Sequence, residues 1–420
     1  MSAFKFSLKS FLLLHLLMAI GCGDDATVMP EPPKESTVPG DVANLAITTI
    51  TDSSATLTWT APGDDGTTGT ATKYDIRYST SMITDVNFLS ATQAANLLSP
   101  DTAGTTETFT VTGISGITTY HFALKTADEV PNWSGISNVP IATTPARFLL
   151  KWDSGATLPS YIAVDPLSNN VYVVNSYHHR IEAFDSSGTF LSNWGSRGTG
   201  NGQFEFPSGI AINGGLGSLY VTDTGNHRVQ LFDLTGEFVL TVWGSQGTGD
   251  SEFNAPLGIA AHNFNVYVVD RENSRIQKFD SDGRFLTKWG SMGTGDGEFT
   301  GPLGIAIDGS GNVYVTEQSH RIQKFDSDGN FLSKWGAFGA GDGEFDQPWD
   351  ITIAGGGNVY VTDRGNGRIQ AFDGVGTYLT QWGTLGTGDG QFQHPLGIAT
   401  DSSGNIYVVD WRDGRVQKFR

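Results

Sequence analysis

PLGIAIDGSGNVYVTEQSHRIQKFDSDGNFLSKWG, residues 302–336, is one copy of a pattern that recurs from about residue 146 to the C-terminus. Each copy reads P-x-G-I-A, a V-Y-V-T-D segment, R-I-Q-x-F-D, F-L-x-x-W-G and a glycine-rich G-T-G-D-G-E-F stretch. The tyrosines of the second segment are Tyr172, Tyr220, Tyr267, Tyr314, Tyr360 and Tyr407, spaced 48, 47, 47, 46 and 47 residues apart. A fixed period of this size signals an array or a propeller. Residues 304–307 are apolar on both faces, as a strand beside an axis must be. Residues 312–316, 321–326 and 331–335 supply three more short strands, rich in β-branched and aromatic residues. The S-D-G-N at 327–330 between the last two is a hairpin turn.

The last copy separates an open stack from a closed ring. It begins at Pro395 and stops after V-Q-K-F-R at 416–420, without its F-L-x-x-W-G strand. Residues 147–152 carry that missing piece (Phe148, Leu149, Leu150, Lys151, Trp152) and have no unit of their own. They are expected to pair as the outer strand of the sixth unit, because closure removes open sheet edges. An open solenoid needs capping units at both ends, and none is visible. Six four-stranded units of this kind make a six-bladed β-propeller over 147–420.

The D-x-G-N-H-R-V-Q-x-F-D run from Asp223 to Asp233 resembles the NHL repeat. The likeness extends over all six units, with departures. The Asn-His pair is complete only at Asn226 and His227. The first unit has His178 and His179, the third Asn273 and Ser274, and the fourth Ser319 and His320. Gly367 and Gly414 replace the histidine in the fifth and sixth. The Gly-His and Trp-Asp signature of WD40 blades is absent. NHL-like propellers include a zinc-dependent lyase and calcium-dependent lactonases, so the resemblance implies a metal-assisted lyase or lactonase at the central channel as the alternative to a binding role.

Before the propeller lie three further segments. Lys5 and Lys9 precede an apolar run, residues 11–20, too short to span a membrane and typical of an export signal. Cys22, the only cysteine, follows directly; A-I-G-C at 19–22 resembles a bacterial lipoprotein cleavage box. Residues 1–21 are therefore expected to be a signal peptide and Cys22 the lipidated residue, giving an outer-membrane or cell-surface lipoprotein. Residues 22–40 are polar and proline-bearing and read as a flexible tether. Residues 41–144 show short alternating segments spaced like an antiparallel sandwich. They resemble a fibronectin type III domain, with Trp59 as the buried early-strand tryptophan, K-Y-D-I-R-Y at 73–78 as a middle strand and G-I-T-T-Y at 116–120 leading to a tyrosine corner. The fold class is all-β: a fibronectin type III-like β-sandwich followed by a six-bladed β-propeller closed by an N-terminal strand.

The formal charge is −19 and argues against nucleic acid, which needs clustered Lys and Arg. Glycine, 54 residues of 420, follows the blade turns rather than a three-residue period, which excludes collagen. One acid and one arginine recur per unit (Asp223/Arg228, Asp270/Arg275, Glu317/Arg321, Asp363/Arg368, Asp410/Arg415), with Asn175/Arg180 lacking the acid. A pair in every blade is what a structural clamp requires, with bidentate contact at partial burial. Asp250/Glu252, Asp296/Glu298, Asp342/Glu344 and Asp389 in the glycine-rich loops offer oxygen ligands to calcium, or merely form turns. No resident cofactor is otherwise expected. His179, His227 and His320 share one place in the repeat away from the axis, which disfavours a zinc site, and no nucleophile motif occurs.

Function is sought where the symmetry breaks. Inner strands begin with Leu-Gly or Ser-Gly, except for Tyr161 in the first unit and Trp349-Asp350 in the fifth. After the second strand the irregular residues are Tyr177, His178, Arg271, Arg364, Trp411 and Arg412. These nine are the candidate ligand-binding residues, expected to face the channel mouth. Aromatics with arginines suit an extracellular or periplasmic protein, peptide or carbohydrate. The reading leans to binding rather than catalysis.

Overall fold

The computed structural model describes residues 37–130, 132–155, 158–237 and 239–420. The expected signal peptide, Cys22 and most of the tether lie outside the described residues.

The N-terminal domain packs two antiparallel sheets. One holds Ala46–Ile50, Ser54–Thr60 and Thr106–Thr112; the other holds Lys73–Ser79, Thr92–Gln93, Thr119–Ala127 and Ile141–Thr143. Alternation puts Leu57, Trp59, Ile76 and Phe122 into the shared core. Trp59 meets Tyr74 edge-on at 5.1 Å. The Ser115 amide donates to the Tyr120 hydroxyl at 3.0 Å, which is the tyrosine corner of this sandwich class.

Six four-stranded antiparallel sheets follow. Blade one is residues 159–194, blade two 207–243, blade three 256–289, blade four 302–335 and blade five 348–382. Blade six takes Pro395–Thr400, Ile406–Asp410 and Arg415–Phe419 from the C-terminus, and Phe148–Asp153 from before blade one as its outer strand. Val416 faces Trp152 and Lys418 faces Leu150 in that pairing. Arg147 and Arg420 exchange backbone hydrogen bonds at 2.6 and 2.8 Å. The expected closing strand is therefore present, and the inner strand of blade six lies beside that of blade one.

Blades adhere through two aromatic contacts at five of the six seams, and through Trp152 on Phe184 at the seam between blades six and one. The Trp that ends an outer strand packs on the next blade: Trp194 lies 6.3 Å from Phe232, and Trp289 lies 6.0 Å from Phe325. The loop phenylalanines Phe204, Phe253, Phe299, Phe345 and Phe392 are fully buried and meet the same partners, as Phe204 meets Phe232 at 5.8 Å. Gly236 shows why the hairpin needs glycine. Its φ is +73°, and a Cβ there would lie 2.2 Å from the Trp194 ring of the preceding blade.

The repeated acid and arginine form a clamp of different geometry from the expected one. Asp223, Asp270, Glu317, Asp363 and Asp410 are fully buried. In blade three Arg275 Nε donates to Asp270 Oδ2 at 2.7 Å, a single contact rather than a bidentate one. Its remaining donors reach the carbonyls of Thr248, Gly249 and Glu252 in the glycine-rich loop. Gln277 bonds the same carboxylate and the Glu252 carbonyl. The arginine thus ties the loop to the hairpin, and the fork is spent on main chain. In blade one the missing acid has moved rather than vanished: Glu182, where other blades carry Gln, accepts from Arg180 Nε at 2.8 Å.

The signature histidine is also structural. His179, His227 and His320 have φ of +56°, +55° and +62°, matched by Ser274 at +50° and Gly367 at +63°. The left-handed turn explains why histidine, serine and glycine interchange there. Each histidine Nδ1 accepts a backbone N–H across the seam, from Phe206, Ala255 and Gln347 respectively.

Arg275→Leu leaves Asp270 buried without its cation and the Thr248 and Gly249 carbonyls without their arginine donor. Breaking a buried pair in this way costs about 3–5 kcal/mol. Denaturant unfolding should register that loss, whereas Arg284→Leu, on an exposed side chain, should leave stability within about 0.5 kcal/mol.

Candidate functional site

The inner strands explain how the mouth of the ring is built. Gly209, Gly258, Gly304 and Gly397 occupy the third position of their strands, pressed against the next blade. A Cβ on Gly258 would lie 2.4 Å from the Leu303 carbonyl, and one on Gly397 would lie 2.7 Å from Tyr161 Cα. Blades one and five place Tyr161 and Asp350 at this same position. These substitutions are the local irregularity from which the rest of the site follows.

Asp350 turns toward blade six. Its Oδ2 accepts the Ile398 amide at 3.0 Å, and its own amide donates to Thr362 Oγ1 at 2.8 Å. Burial pushes the carboxyl up to about 7, against the lowering effect of its backbone donors. Tyr161 is buried in the apolar cluster that contains Leu257 and Leu303 and borders Trp349. Burial, then the charge of Asp350, holds its hydroxyl well above the usual range, while Arg271 acts the other way. The axial channel behind these residues is a cavity of about 190 Å³, walled by the inner-strand isoleucines Ile162, Ile210, Ile259, Ile305, Ile351 and Ile398.

On the mouth side, Arg364 sits between two indoles. Its guanidinium carbon is 5.0 Å from the Trp349 ring centre and 5.9 Å from that of Trp411. Its Nη1 donates to Gln347 Oε1 at 3.2 Å, and no carboxylate lies within ion-pair distance among the described residues. Burial lowers its pKa. A cavity of about 320 Å³ opens beside it, lined by Leu303, Gln318, His320, Gln347, Trp349 and Arg364. His394 meets Trp411 edge-on at 5.7 Å. Burial first, then Arg364 and Arg412, depresses its pKa.

Of the nine sequence candidates, the structure links seven: Tyr161, Arg271, Trp349, Asp350, Arg364, Trp411 and Arg412. Tyr177 and His178 do not join them. Their rings pack on one another at 5.4 Å, and His178 bonds Asn175, at the rim of blade one. His394, Gln318, Gln347 and His320 were not among the candidates. The signal for His394 was its place just before the inner-strand proline, where no other blade has a charged or titratable side chain.

The loop carboxylates have nearby partners. Lys288 reaches Asp250 at 2.8 Å, Lys334 reaches Asp296 at 2.5 Å and Lys151 reaches Asp389 at 2.6 Å. Glu252, Glu298 and Glu344 accept the amides of Gly249, Gly295 and Gly341 within their own turns. Among the described residues no group of three or more His, Cys, Asp or Glu is placed to hold a metal ion.

Asp350 makes stability depend on pH with a defined sign. Its folded pKa, about 7, exceeds the ordinary 3.8, so the folded state keeps a proton that the unfolded chain has lost. Stability therefore falls as pH rises from about 4 to 7 and levels off above. Asp350→Asn should flatten this slope and gain roughly 1–3 kcal/mol over the native chain at pH 8, read by denaturant unfolding at pH 5 and pH 8.

Comparison with known proteins agrees with the architecture. The NHL repeat family model matches residues 204–232, 345–372 and 392–419. The fibronectin type III domain model matches 39–139, and a family described as a 6-bladed beta-propeller matches 246–324. No curated protein matches the sequence. Among solved structures, a protein of unknown function from Bacteroides thetaiotaomicron superposes with a TM-score of 0.51 at 15% identity, over 92% of this chain and 98% of its own. A gluconolactonase from Xanthomonas campestris gives 0.48 at 13% identity, over 66% of this chain and 94% of its own. Virginiamycin B lyase from Staphylococcus aureus gives 0.45 at 15%, over 64% and 84%. Likeness at these identities extends to the fold alone. The chain carries a fibronectin type III domain followed by NHL repeats arranged as a six-bladed β-propeller.

Proposed function

We propose that this is an exported, membrane-tethered binding protein, whose propeller mouth holds an extracellular or periplasmic ligand while the fibronectin-like domain acts as a spacer. The observation that carries the reading is Arg364: a half-buried cation stacked between Trp349 and Trp411, without a carboxylate partner, beside a cavity of about 320 Å³. Structural arginines in this chain are spent on a buried acid and loop carbonyls, as Arg275 and Arg368 are. Arg364 does neither, and it stands where the repeat is broken by tryptophans. Concave surfaces with aromatic anchors and a few convergent polar groups are where ligands bind.

Photo-crosslinking at the native cell surface, with identification of what is captured, tests this. Trp349→Ala combined with Trp411→Ala should abolish specific capture while the melting temperature stays within a few degrees. Unchanged capture by the double variant removes the mouth as the contact surface. The anchor has its own test. Metabolic labelling with a fatty acid should mark the native chain and not Cys22→Ser, and the variant should leave the membrane fraction; labelling that persists refutes lipidation at Cys22.

A further inference from the structure

We infer that the cleft at the mouth takes an acidic sugar residue, a pyranose ring bearing hydroxyls and one carboxylate. The inference rests on the mouth being the binding face and names the chemistry of its ligand.

Charge is the first argument. The chain carries a formal charge of −19, yet Arg271, Arg364, Arg412 and His394 converge on the mouth from three blades. Arg271 has one ion pair, to the half-exposed Glu272 at 3.0 Å. Arg364 and Arg412 have none among the described residues. The mouth is thus a small cationic island on an acidic protein, with charge for one anionic group rather than for a polyphosphate. Guanidinium groups pair with carboxylates through parallel donors, which fixes orientation as well as affinity.

Hydrogen-bond capacity is the second. Arg271 Nε and Arg364 Nε are buried without an acceptor, whereas the Trp349 indole N–H lies beside the Tyr161 hydroxyl. Of the two arginines, Arg364 lines the mouth cavity, and Arg271 stands near enough to Tyr161 to act on its hydroxyl. Both Nε atoms only donate, so the group that satisfies them must accept. A buried donor left unpaired costs roughly 1–3 kcal/mol, which gives such a ligand a strong advantage over a cationic or apolar one.

The lining is the third. Gln318, Gln347 and His320 offer amide and imidazole groups suited to hydroxyls, while Leu303 and the Trp349 edge offer apolar surface to ring C–H. The cavity, about 320 Å³, is at the small end of ligand sites, roughly 300–1,000 Å³. It fits one ring better than a peptide stretch. An extended peptide also seeks a free strand edge, and the blade edges lie at the outer strands, away from the mouth.

Intrinsic tryptophan fluorescence and calorimetry of the purified full-length protein with trigalacturonate, its neutral methyl ester and a tripeptide with a free C-terminus test this. Trigalacturonate should bind, the methyl ester should bind at least roughly tenfold more weakly, and Arg364→Gln should cost the acid a similar factor. If Arg364→Gln lowers the melting temperature, Arg412→Gln serves instead, since that side chain is exposed, with a smaller but measurable loss for the acid only. Equal binding of acid and ester, both lost in Trp349→Ala, overturns the acidic class and keeps the mouth as the site. Binding of the tripeptide without trigalacturonate overturns the sugar. Failure of all three probes, with cell-surface capture still dependent on Trp349 and Trp411, overturns this inference and leaves the binding reading standing; loss of that dependence as well overturns both.

Discussion

A buried carboxylate at the end of the second strand in blades two to six is the interaction on which the ring depends. In blades two to six it holds the arginine at the start of the third strand, and that arginine holds the incoming glycine-rich loop through main-chain carbonyls. The loop in turn delivers its phenylalanine into the seam between blades. One ionic contact therefore sets loop path, seam packing and blade spacing together. Removing an ion from water is expensive, and the cost is offset here because nearly every donor of the arginine has a partner. Blade one keeps the ion pair alone, with Glu182 on the third strand supplying the acid to Arg180.

The mouth is the complement of this regularity. Glycine at the third inner-strand position lets successive blades approach at backbone distance. Tyr161 and Asp350 occupy that position in two blades, fill the end of the channel, and bring Arg271 and Trp349 into one environment. The buried acid is a feature that packing alone would not favour. Positions that break a local rule without an evident structural gain are where function is expected.

Much of the architecture was legible in the sequence because a repeat is read six times over. The Tyr spacings, the D-x-x-G hairpins and the truncated sixth copy each report backbone geometry directly. The closing strand was legible because Phe148–Trp152 carries a pattern with no unit of its own. The site was legible only in part. Aligning the copies exposed Tyr161, Trp349 and Asp350, since each departs from five counterparts, and Arg364, which only Arg271 matches. It did not separate Tyr177 and His178, which depart equally but stack at the rim. Departure from a repeat marks a position as different; which departures meet depends on side-chain length and direction across the axis. The clamp was misread for a related reason: the sequence gives the acid and the arginine, but the carbonyls that use the rest of the fork carry no sequence signal.

The closing strand has a mechanical consequence. Phe148–Asp153 is at once the last link from the N-terminal domain and the outer edge of blade six. Tension entering from the N-terminal side reaches the ring at Arg147, whose amide and carbonyl bond Arg420, the other end of the ring-forming chain. The strand runs antiparallel to its only sheet partner, so a pull across the blade would load its hydrogen bonds one after another, like a zipper. The neighbouring domain shields this first tooth: Gly116 lies so close that a Cβ there would sit 2.6 Å from the Arg420 carbonyl, and Ile117 packs beside Ala146 and Phe419. The N-terminal domain thus covers the hydrogen bonds that join Arg147 to Arg420.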